Sequence, residues 1–229
     1  MNMNNTHQNR DTPDDAFAPK TRSATVHDQL CAQLCAGELA PGETISIRGI
    51  AQQHGCSAMP AREALRWLVA EGALEFIDSR RIIVPNVSRQ RFEELLFARR
   101  QLETELSRQA FPHLGDNDVE ALNRIDDAIG TAIADGDMTG YMRGNHAFHF
   151  HIYERSGSRV LLPLVKVLWM QYGPSMRYIA SLWKNSTLAD DFHVQIINAL
   201  RQRDSERFCT AIAADIEQGM GLLTMQVTR

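Results

Sequence analysis

Residues 55–74 read GCSAMPAREALRWLVAEGAL, and this stretch has the pattern of one short helix with a defined start and end. Ser57 can cap the first turn, and Pro60 falls where a missing N–H costs little, so we expect the helix to begin at about Ala58. The helical pattern ends at Glu71, which is followed by Gly72. Small and apolar residues at helical spacing form a stripe suited to facing a core, namely Ala61, Ala64, Leu65 and Leu68.

Two arginines, Arg62 and Arg66, lie one turn apart on the opposite face of this helix. An apolar inner stripe with arginines near the leading end is typical of a DNA-reading helix, because guanidinium groups there reach phosphates or guanine edges. An ordinary surface helix has the same pattern. The helix alone therefore leaves both interpretations open.

The segments before this helix complete a helix-turn-helix. Apolar residues at helical spacing predict a first helix over residues 24–36. Ile45 and Ile47 predict a short strand, and a second helix is expected over residues 48–54. Gly55 joins the second helix to the third by a tight turn, which is the helix-turn-helix arrangement.

A predicted hairpin follows the third helix. Residues 75–77 and 82–84 are rich in β-forming side chains, and the intervening residues, DSRR, place Arg80 and Arg81 at the tip. A basic hairpin in this position is a wing. The order helix, strand, helix, helix and hairpin predicts a winged helix-turn-helix and favours DNA binding as the function of this part of the chain.

The stretch LAPGETISIRGIAQQHGCSAMPAREALRWLVAEGALEFIDSRRIIV resembles the winged-helix domain of GntR-type bacterial transcription regulators. The resemblance implies sequence-specific operator binding, with Arg48 and Arg62 contacting DNA and the wing following the minor groove. The matching residues are Pro41, Gly42, Ile50, Ala51, Gly55, Ser57, Pro60, Arg62, Glu63, Ala64, Leu65, Leu68, Glu71, Gly72 and Leu74.

Two departures from the GntR pattern bear on DNA contacts. Ala58 stands where the family has an arginine, which removes one expected contact. Arg81 stands where the family usually has a glycine in the wing, and it can supply a positive charge near the one lost at Ala58. The residues expected to contact DNA are therefore Arg48, Ser57, Arg62, Arg66, Arg80 and Arg81.

Composition indicates a globular protein that buries a real core, since 44% of the 229 residues are hydrophobic. No apolar run approaches the roughly 20 residues that a membrane span needs, and the first residues lack a secretory apolar region, so we expect a cytoplasmic protein. The net charge of −4 argues against non-specific coating of nucleic acid. Reduced, packed thiols are expected at the scattered cysteines, Cys31, Cys35, Cys56 and Cys209.

The chain divides into three predicted segments. Residues 1–22 have hardly any apolar content and predict a disordered tail, and residues 23–87 form the winged-helix domain. From Ser88, a good N-cap residue, residues 88–229 have no strand pattern and predict an all-α antiparallel helical bundle. Its helices are expected over residues 89–110, 116–135, 137–155, 159–169, 174–183, 188–202 and 205–226, with Asp116, Asp137 and Asp204 as caps.

The first bundle helix carries an arginine where apolar side chains are expected. Arg99 lies within the apolar stripe of this helix, one turn before Glu103. A guanidinium that faces the interior must be paired or it costs several kcal/mol. Either Arg99 forms a closed pair with Glu103, or it awaits a ligand carboxylate, which its planar fork suits.

Further polar side chains lie on inward faces of later helices. Asn145 and His149 are one turn apart on one face, His193 shares a face with Ile196 and Ile197, and Asp215 lies on an apolar stripe. These four groups from three helices can meet in one core and bind a metal ion. Alternatively, each finds a hydrogen bond nearby. The neighbouring histidines His146 and His151 point elsewhere.

The helical half resembles the FCD ligand-binding domain that accompanies this winged helix in the FadR subgroup. The matching residues are Arg99, Leu102, Glu103, Asn145, Phe148, His149 and His193. That domain usually holds a divalent metal with one Asp and three His, and the metal and the arginine together capture a small carboxylate. Here Asn145 replaces the Asp, Phe192 replaces a Glu and Asp215 replaces the last His.

The resemblance therefore implies a metal site formed by Asn145, His149, His193 and Asp215, with Arg99 binding the effector. The exchanges leave the total ligand charge unchanged. A set of two imidazoles and two oxygen ligands could hold zinc, manganese or nickel.

These features predict a homodimeric regulator that binds double-stranded operator DNA. The resemblance implies a repressor that leaves DNA when a small organic acid binds. Dimerisation through the helical bundle would place two winged-helix domains on a palindromic operator. A metal-dependent enzyme is disfavoured because the sequence shows no nucleophile with a neighbouring base. A regulator of the same fold that works without metal remains an alternative.

Overall fold

The computed structural model describes residues 20–78, 81–176 and 192–224. Its N-terminal part is a winged helix-turn-helix. The elements in this part are α1 (Arg22–Cys35), β1 (Thr44–Ile45), α2 (Ile47–Gln53), α3 (Ala58–Ala70), β2 (Glu75–Phe76) and β3 (Ile82–Ile83).

The remainder of the described chain is helical, so the predicted fold class is confirmed. The helices are α4 (Arg89–Ala110), α5 (Asp116–Asp135), α6 (Met138–Tyr153), α7 (Leu161–Tyr172), α8 (Phe192–Arg201) and α9 (Ser205–Thr224). Short 3-10 turns follow α4, α6 and α7 at Phe111–His113, Glu154–Ser156 and Gly173–Ser175. None of the helices in the described ranges combines the length and apolar character that crossing a membrane requires.

The three strands form one antiparallel sheet in the order β1–β3–β2. Ile83 of β3 pairs with Thr44 on one side and with Glu75 on the other. The strands β2 and β3 are the predicted wing. Ile47 was expected in the first strand but begins α2 instead, because the Ser46 side chain accepts a hydrogen bond from the Gly49 amide at 3.0 Å and caps the helix there.

The helix α3, predicted to read DNA, packs as its sequence pattern predicts. The side chains of the predicted stripe, Ala61, Ala64, Leu65 and Leu68, are all fully buried. Ser57 occupies the N-cap position with extended backbone, but its side chain makes no capping hydrogen bond. The start of α3 therefore depends on backbone geometry and on packing against α1 and α2.

Within the helical domain, the predicted helix caps agree with the structure in three of four cases. Ser88, Asp137 and Asp204 accept hydrogen bonds from the amides three residues ahead. The prediction for Asp116 is wrong, since Gly115 occupies the cap of α5. The carboxylate of Asp118 reaches back to the Gly115 amide at 2.9 Å and stabilises this start.

Some predicted segments differ from the structure or lie outside the described residues. Arg22, assigned from the sequence to the tail, begins α1, and Thr21 caps that helix. Residues 1–19 are outside the described range, as are most of the predicted 174–183 helix, the start of the 188–202 helix and the last two residues of the 205–226 helix. All four cysteines are free thiols, as expected.

The winged-helix domain contacts the helical domain at the C-terminal end of α3. Gln171 of α7 donates to the carbonyl of Glu71 at 2.9 Å, and Arg91 of α4 donates to the carbonyl of Gly72 at 2.6 Å. Arg91 also bonds Gln171 at 3.1 Å. The carbonyls of Glu71 and Gly72, just after the last turn of α3, are thus held by two helices of the helical domain.

In a second contact between the winged-helix and helical domains, Gly173 packs against the end of α1. We call the two contacts together the joint between the domains. A Cβ on Gly173 would overlap the Leu34 carbonyl oxygen and lie 2.9 Å from Cys35 Cα. Because both obstacles are backbone, Gly173→Ala should lower the free energy of unfolding by about 1–3 kcal/mol.

Gly130→Ala in α5 is the matched control, because nothing lies within 4 Å of its added Cβ. That substitution should be neutral or stabilising by up to about 1 kcal/mol, since alanine favours helix. Urea unfolding of both variants measures the difference, and equal stability for the two would contradict the close approach at Gly173.

Candidate functional site

The arginines predicted to contact DNA are exposed on one part of the winged helix. Arg48 lies on α2, and Arg62 and Arg66 lie on α3, all with exposed side chains. Within the described residues, none of these three forms an ion pair. Their guanidinium groups therefore carry charge that a phosphate can neutralise.

The wing presents its charge differently. Arg81 is exposed, and its Nε donates to Asp78 Oδ2 at 2.8 Å, while its backbone amide donates to Asp78 Oδ1 at 2.9 Å. Asp78 thus offsets part of the charge of Arg81. Arg80 lies outside the described residues.

A cavity of about 210 Å³ opens within the helical domain between helices α4 to α9. All of the predicted effector and metal residues contribute to its wall. The lining includes Arg99, Asp126, Tyr141, Asn145, His149, Tyr172, Phe192, His193 and Asp215. The structure thus brings together residues that are far apart in sequence.

Three of the predicted metal ligands converge inside this cavity. His149 Nε2 is 3.0 Å from Asp215 Oδ2, and His193 Nε2 is 4.0 Å from Asp215 Oδ1. One donor atom from each of these residues lies within 4.8 Å of the other two. Asn145, the fourth predicted ligand, lines the same cavity and is half-buried.

Each imidazole is oriented by a partner on its other nitrogen. His193 Nδ1 is 2.8 Å from Asp126 Oδ1, and the His193 ring stacks on Phe148 with centroids 3.8 Å apart. His149 Nδ1 is 3.1 Å from the hydroxyl of Tyr153. Outer partners of this kind fix the tautomer and ring orientation of metal-binding histidines.

The hydrogen-bond chain determines the proton positions around His149. The Tyr153 hydroxyl donates to Glu103 Oε2 at 2.7 Å, so its single proton is used and it accepts from His149 Nδ1. Consequently, His149 Nε2 is the nitrogen that faces Asp215, 3.0 Å from Oδ2. Imidazole nitrogens and a carboxylate are ligand types that zinc-class ions accept, so the donor set fits a divalent ion.

Arg99 forms the closed pair with Glu103. Its Nε donates to Glu103 Oε1 at 2.6 Å, and a second bond of 3.3 Å joins Nη2 to Oε2. The guanidinium carbon lies 4.4 Å from the ring centre of Trp169 and 4.2 Å from that of Tyr172. Arg99 therefore lines the cavity from within an aromatic cage, with its charge compensated by Glu103.

Burial and charge shift the ionisation of these groups. Burial works to raise the pKa of Asp215, but the hydrogen bond from His149 and the charges of His149, His193 and Arg99 outweigh it, and the pKa lies below its ordinary value. Burial and the adjacent Glu103 raise the pKa of Tyr153 well above its ordinary value, which keeps the proton on the hydroxyl.

Sequence reasoning missed several residues of this site. Tyr153 lies one turn after His149 on α6, and this spacing could have predicted their contact. Asp126 comes from α5, and Trp169 and Tyr172 come from α7. Their positions at the site follow from how the helices pack, which no local sequence pattern predicts. The neighbouring histidines do point elsewhere: His151 bonds Asp118 at 2.9 Å, and His146 stacks on Phe150.

Comparison with known families identifies both halves of the chain. Residues 22–84 match the model of bacterial regulatory proteins of the gntR family, and residues 94–218 match the FCD domain. The chain belongs to the GntR family and carries an FCD domain. It is a DNA-binding transcription regulator of the GntR/FCD type rather than an enzyme.

The comparison with individual proteins agrees with this family. The chain is 28% identical over 207 residues to the HTH-type transcriptional regulator McbR of Escherichia coli K12, covering 89% of this chain and 93% of that protein. A solved structure of E. coli McbR/YncC superposes with a TM-score of 0.84 at 27% identity, covering 91% and 99% of the two chains. A putative GntR regulator from Rhodococcus sp. RHA1 shares the fold, with a TM-score of 0.72 at 19% identity and coverage of 88% and 97%.

The buried ion pair of this FCD domain yields a stability prediction. Glu103→Gln should destabilise the protein by about 3–5 kcal/mol, because it leaves the Arg99 charge buried without a counter-charge. Chemical unfolding of the variant measures this loss.

Glu93→Gln on the same helix is the matched control. Its partner Arg89 is also four residues away, at 2.9 Å, but both side chains are more than half exposed. Its loss should be less than about 1 kcal/mol. Similar losses for both variants would show that burial does not govern the Arg99–Glu103 pair.

Proposed function

We propose that this GntR/FCD regulator is a homodimeric repressor that leaves its operator when a small organic acid binds in the FCD cavity together with a divalent metal. The observation that carries the proposal is the convergence of His149, His193 and Asp215 in a cavity of about 210 Å³. A cavity of this size suits a small carboxylate rather than a long acyl chain.

The residues proposed to hold the metal are His149, His193 and Asp215, with Asn145 at the same cavity wall. A bound divalent ion would supply a positive centre for the carboxylate of the effector. Nitrogen and oxygen donors without a thiolate are compatible with zinc, manganese or nickel. Asp126 and Tyr153 would hold the imidazoles in place, as their contacts do in the described structure.

Arg99 is proposed to assist effector binding without leaving its cage. Burial works to lower the pKa of Arg99, but the neighbouring Glu103 raises it above its ordinary value, so the guanidinium stays charged. Because Glu103 already compensates this charge, we assign the main attraction for the carboxylate to the metal side of the cavity. Arg99 would donate directional hydrogen bonds to the effector carboxylate rather than contribute a net positive charge.

Dimerisation is proposed to use the helical domain. Large apolar side chains remain exposed on the neighbouring helices α4 and α7, with Phe97 69% and Leu164 49% exposed. Exposed apolar surface of this kind is commonly covered by a partner, and a second copy would place two winged helices on a palindromic operator.

The switch is proposed to act through α7. This helix supplies Trp169 and Tyr172 to the Arg99 cage, and its Gln171 bonds the last carbonyl of the recognition helix. An effector that favours one position of α7 would favour one arrangement of the DNA-binding head. An effector that bound both arrangements with equal affinity would not change their populations.

Replacement of Arg62 tests the placement of the recognition helix on DNA. Arg62→Ala should weaken binding to the protein's own promoter by about 1–3 kcal/mol, because a guanidinium contact at the start of α3 is lost. The control Arg124→Ala removes an exposed arginine from α5 and should leave affinity unchanged. Titration of labelled promoter DNA at fixed salt gives both values, and an unaltered affinity for Arg62→Ala would refute the placement.

Replacement of His149 tests the metal-dependent response. His149→Ala should lose one bound divalent ion per chain by elemental analysis and should still bind promoter DNA. Small carboxylates that release the wild-type protein from DNA should no longer release the variant, because the metal side of the cavity is gone. His151→Ala is the control, since His151 bonds Asp118 and lies outside the cavity lining.

Two outcomes would change the proposal. Wild-type protein without metal, and without thermal stabilisation by added divalent ions, would support the metal-free regulator of the same fold. Failure of every small carboxylate to alter DNA affinity would refute the organic-acid effector while leaving the DNA-binding assignment intact.

A further inference from the structure

A second cluster of metal-binding side chains lies outside the FCD cavity, in the winged-helix domain. His27 and Cys31 are four residues apart on α1, so their side chains project from one face of the helix. Glu71, the C-cap residue of the recognition helix α3, lies against both. One donor atom from each of the three residues lies within 4.8 Å of the other two.

Two of the three donor separations are close to those that a metal ion imposes, and the third is within 4.8 Å. His27 Nε2 is 2.9 Å from Glu71 Oε2, and Cys31 Sγ is 3.6 Å from His27 Nε2. Metal–ligand bonds of roughly 2.0–2.3 Å place tetrahedral ligands about 3.3–3.8 Å apart. The His27–Glu71 contact would have to widen by about half an ångström to admit an ion, which small side-chain rotations provide.

The surroundings of the cluster suit a cation that enters from solvent. The His27 side chain is 17% exposed and that of Glu71 is 30% exposed, so the donors are reachable but partly shielded from water. Asp28, which is paired with Lys20, lies 3.8 Å from His27 Nδ1 and adds a carboxylate nearby. Partial burial strengthens the attraction between these acidic groups and an ion.

The thiol distinguishes this cluster from a simple ion pair. His27 and Glu71 alone would suffice for a hydrogen-bonded pair, yet Cys31 Sγ also lies 3.5 Å from His27 Nδ1. A set of imidazole, thiolate and carboxylate ligands is typical of zinc-class ions. Burial, with the charge of Glu71, raises the pKa of Cys31 to about 12, so the thiol keeps its proton when no ion is bound.

We propose that His27, Cys31 and Glu71 form a binding site for a zinc-class divalent ion, separate from the FCD cavity. Binding converts the Cys31 thiol to a thiolate ligand and releases its proton to solvent. The ion joins α1 to the C-terminal end of α3, where Gln171 holds the Glu71 carbonyl from the helical domain. The site would therefore stabilise the joint between the DNA-binding head and the effector domain.

Cobalt is the probe that separates this site from the FCD cavity. The converging donors of the cavity are nitrogen and oxygen atoms, so a thiolate-to-cobalt charge-transfer absorption reports a site that contains cysteine. Titration of the full-length, metal-free protein with Co²⁺ should produce this band. Zinc should abolish it by displacement, and His149→Ala should retain it, whatever happens to the effector response.

Variants of the three ligands complete the test. Cys31→Ser should lose the band, and Cys209→Ser, which alters a cysteine on α9, should keep it. Glu71→Gln should weaken cobalt binding by more than about 10-fold, since even an outer-shell partner commonly contributes that much. Circular dichroism checks that each variant is folded, and His27→Gln provides a second ligand variant in which the thiol is intact. Absence of the band in the wild type, or its persistence in folded Cys31→Ser, would overturn the proposal.

Discussion

The buried Arg99–Glu103 pair is the constraint on which the helical domain depends. A guanidinium in the core must be compensated, and Glu103 does so from the next turn of α4 at 2.6 Å. Glu103 also accepts from Tyr153, Tyr153 accepts from His149, and His149 faces Asp215. The charge of one buried arginine thereby influences proton positions across α4, α6 and α9, including those at the candidate metal site.

The helix α7 connects this polar network to the DNA-binding head. Trp169 and Tyr172 enclose Arg99, and Gln171, between them in sequence, bonds the end of the recognition helix. One continuous helix therefore links the cavity wall to the carbonyl of Glu71, which is the basis of the proposed switch. The Arg99 cage beside the FCD cavity and the proposed site at Glu71 thus both lie next to contacts of α7.

Much of the site was predictable because helical spacing places residues on faces. Asn145 and His149 were expected to look inward with His193 and Asp215, and all four line one cavity. The sequence left two interpretations of Arg99 open: an ion pair with Glu103 four residues later, or an unpaired arginine that binds the carboxylate of a ligand. The distance of 2.6 Å between Arg99 Nε and Glu103 Oε1 shows that the ion pair is formed. The caps at Asp116 and Ser57 show that a suitable residue near a helix start can be displaced by a neighbour or by packing.

The sequence by itself determined the winged helix-turn-helix, the change to a helical domain after Ser88 and the GntR and FCD resemblances, because these depend on local periodicity and fixed spacings. Tertiary structure decided which polar groups meet. Asp126 reaches His193 across 67 positions of sequence, Glu71 meets His27 across 44, and Gln171 reaches Glu71 across 100. Such contacts follow from how whole helices pack, and helix packing is set by the summed burial of many side chains rather than by any short stretch.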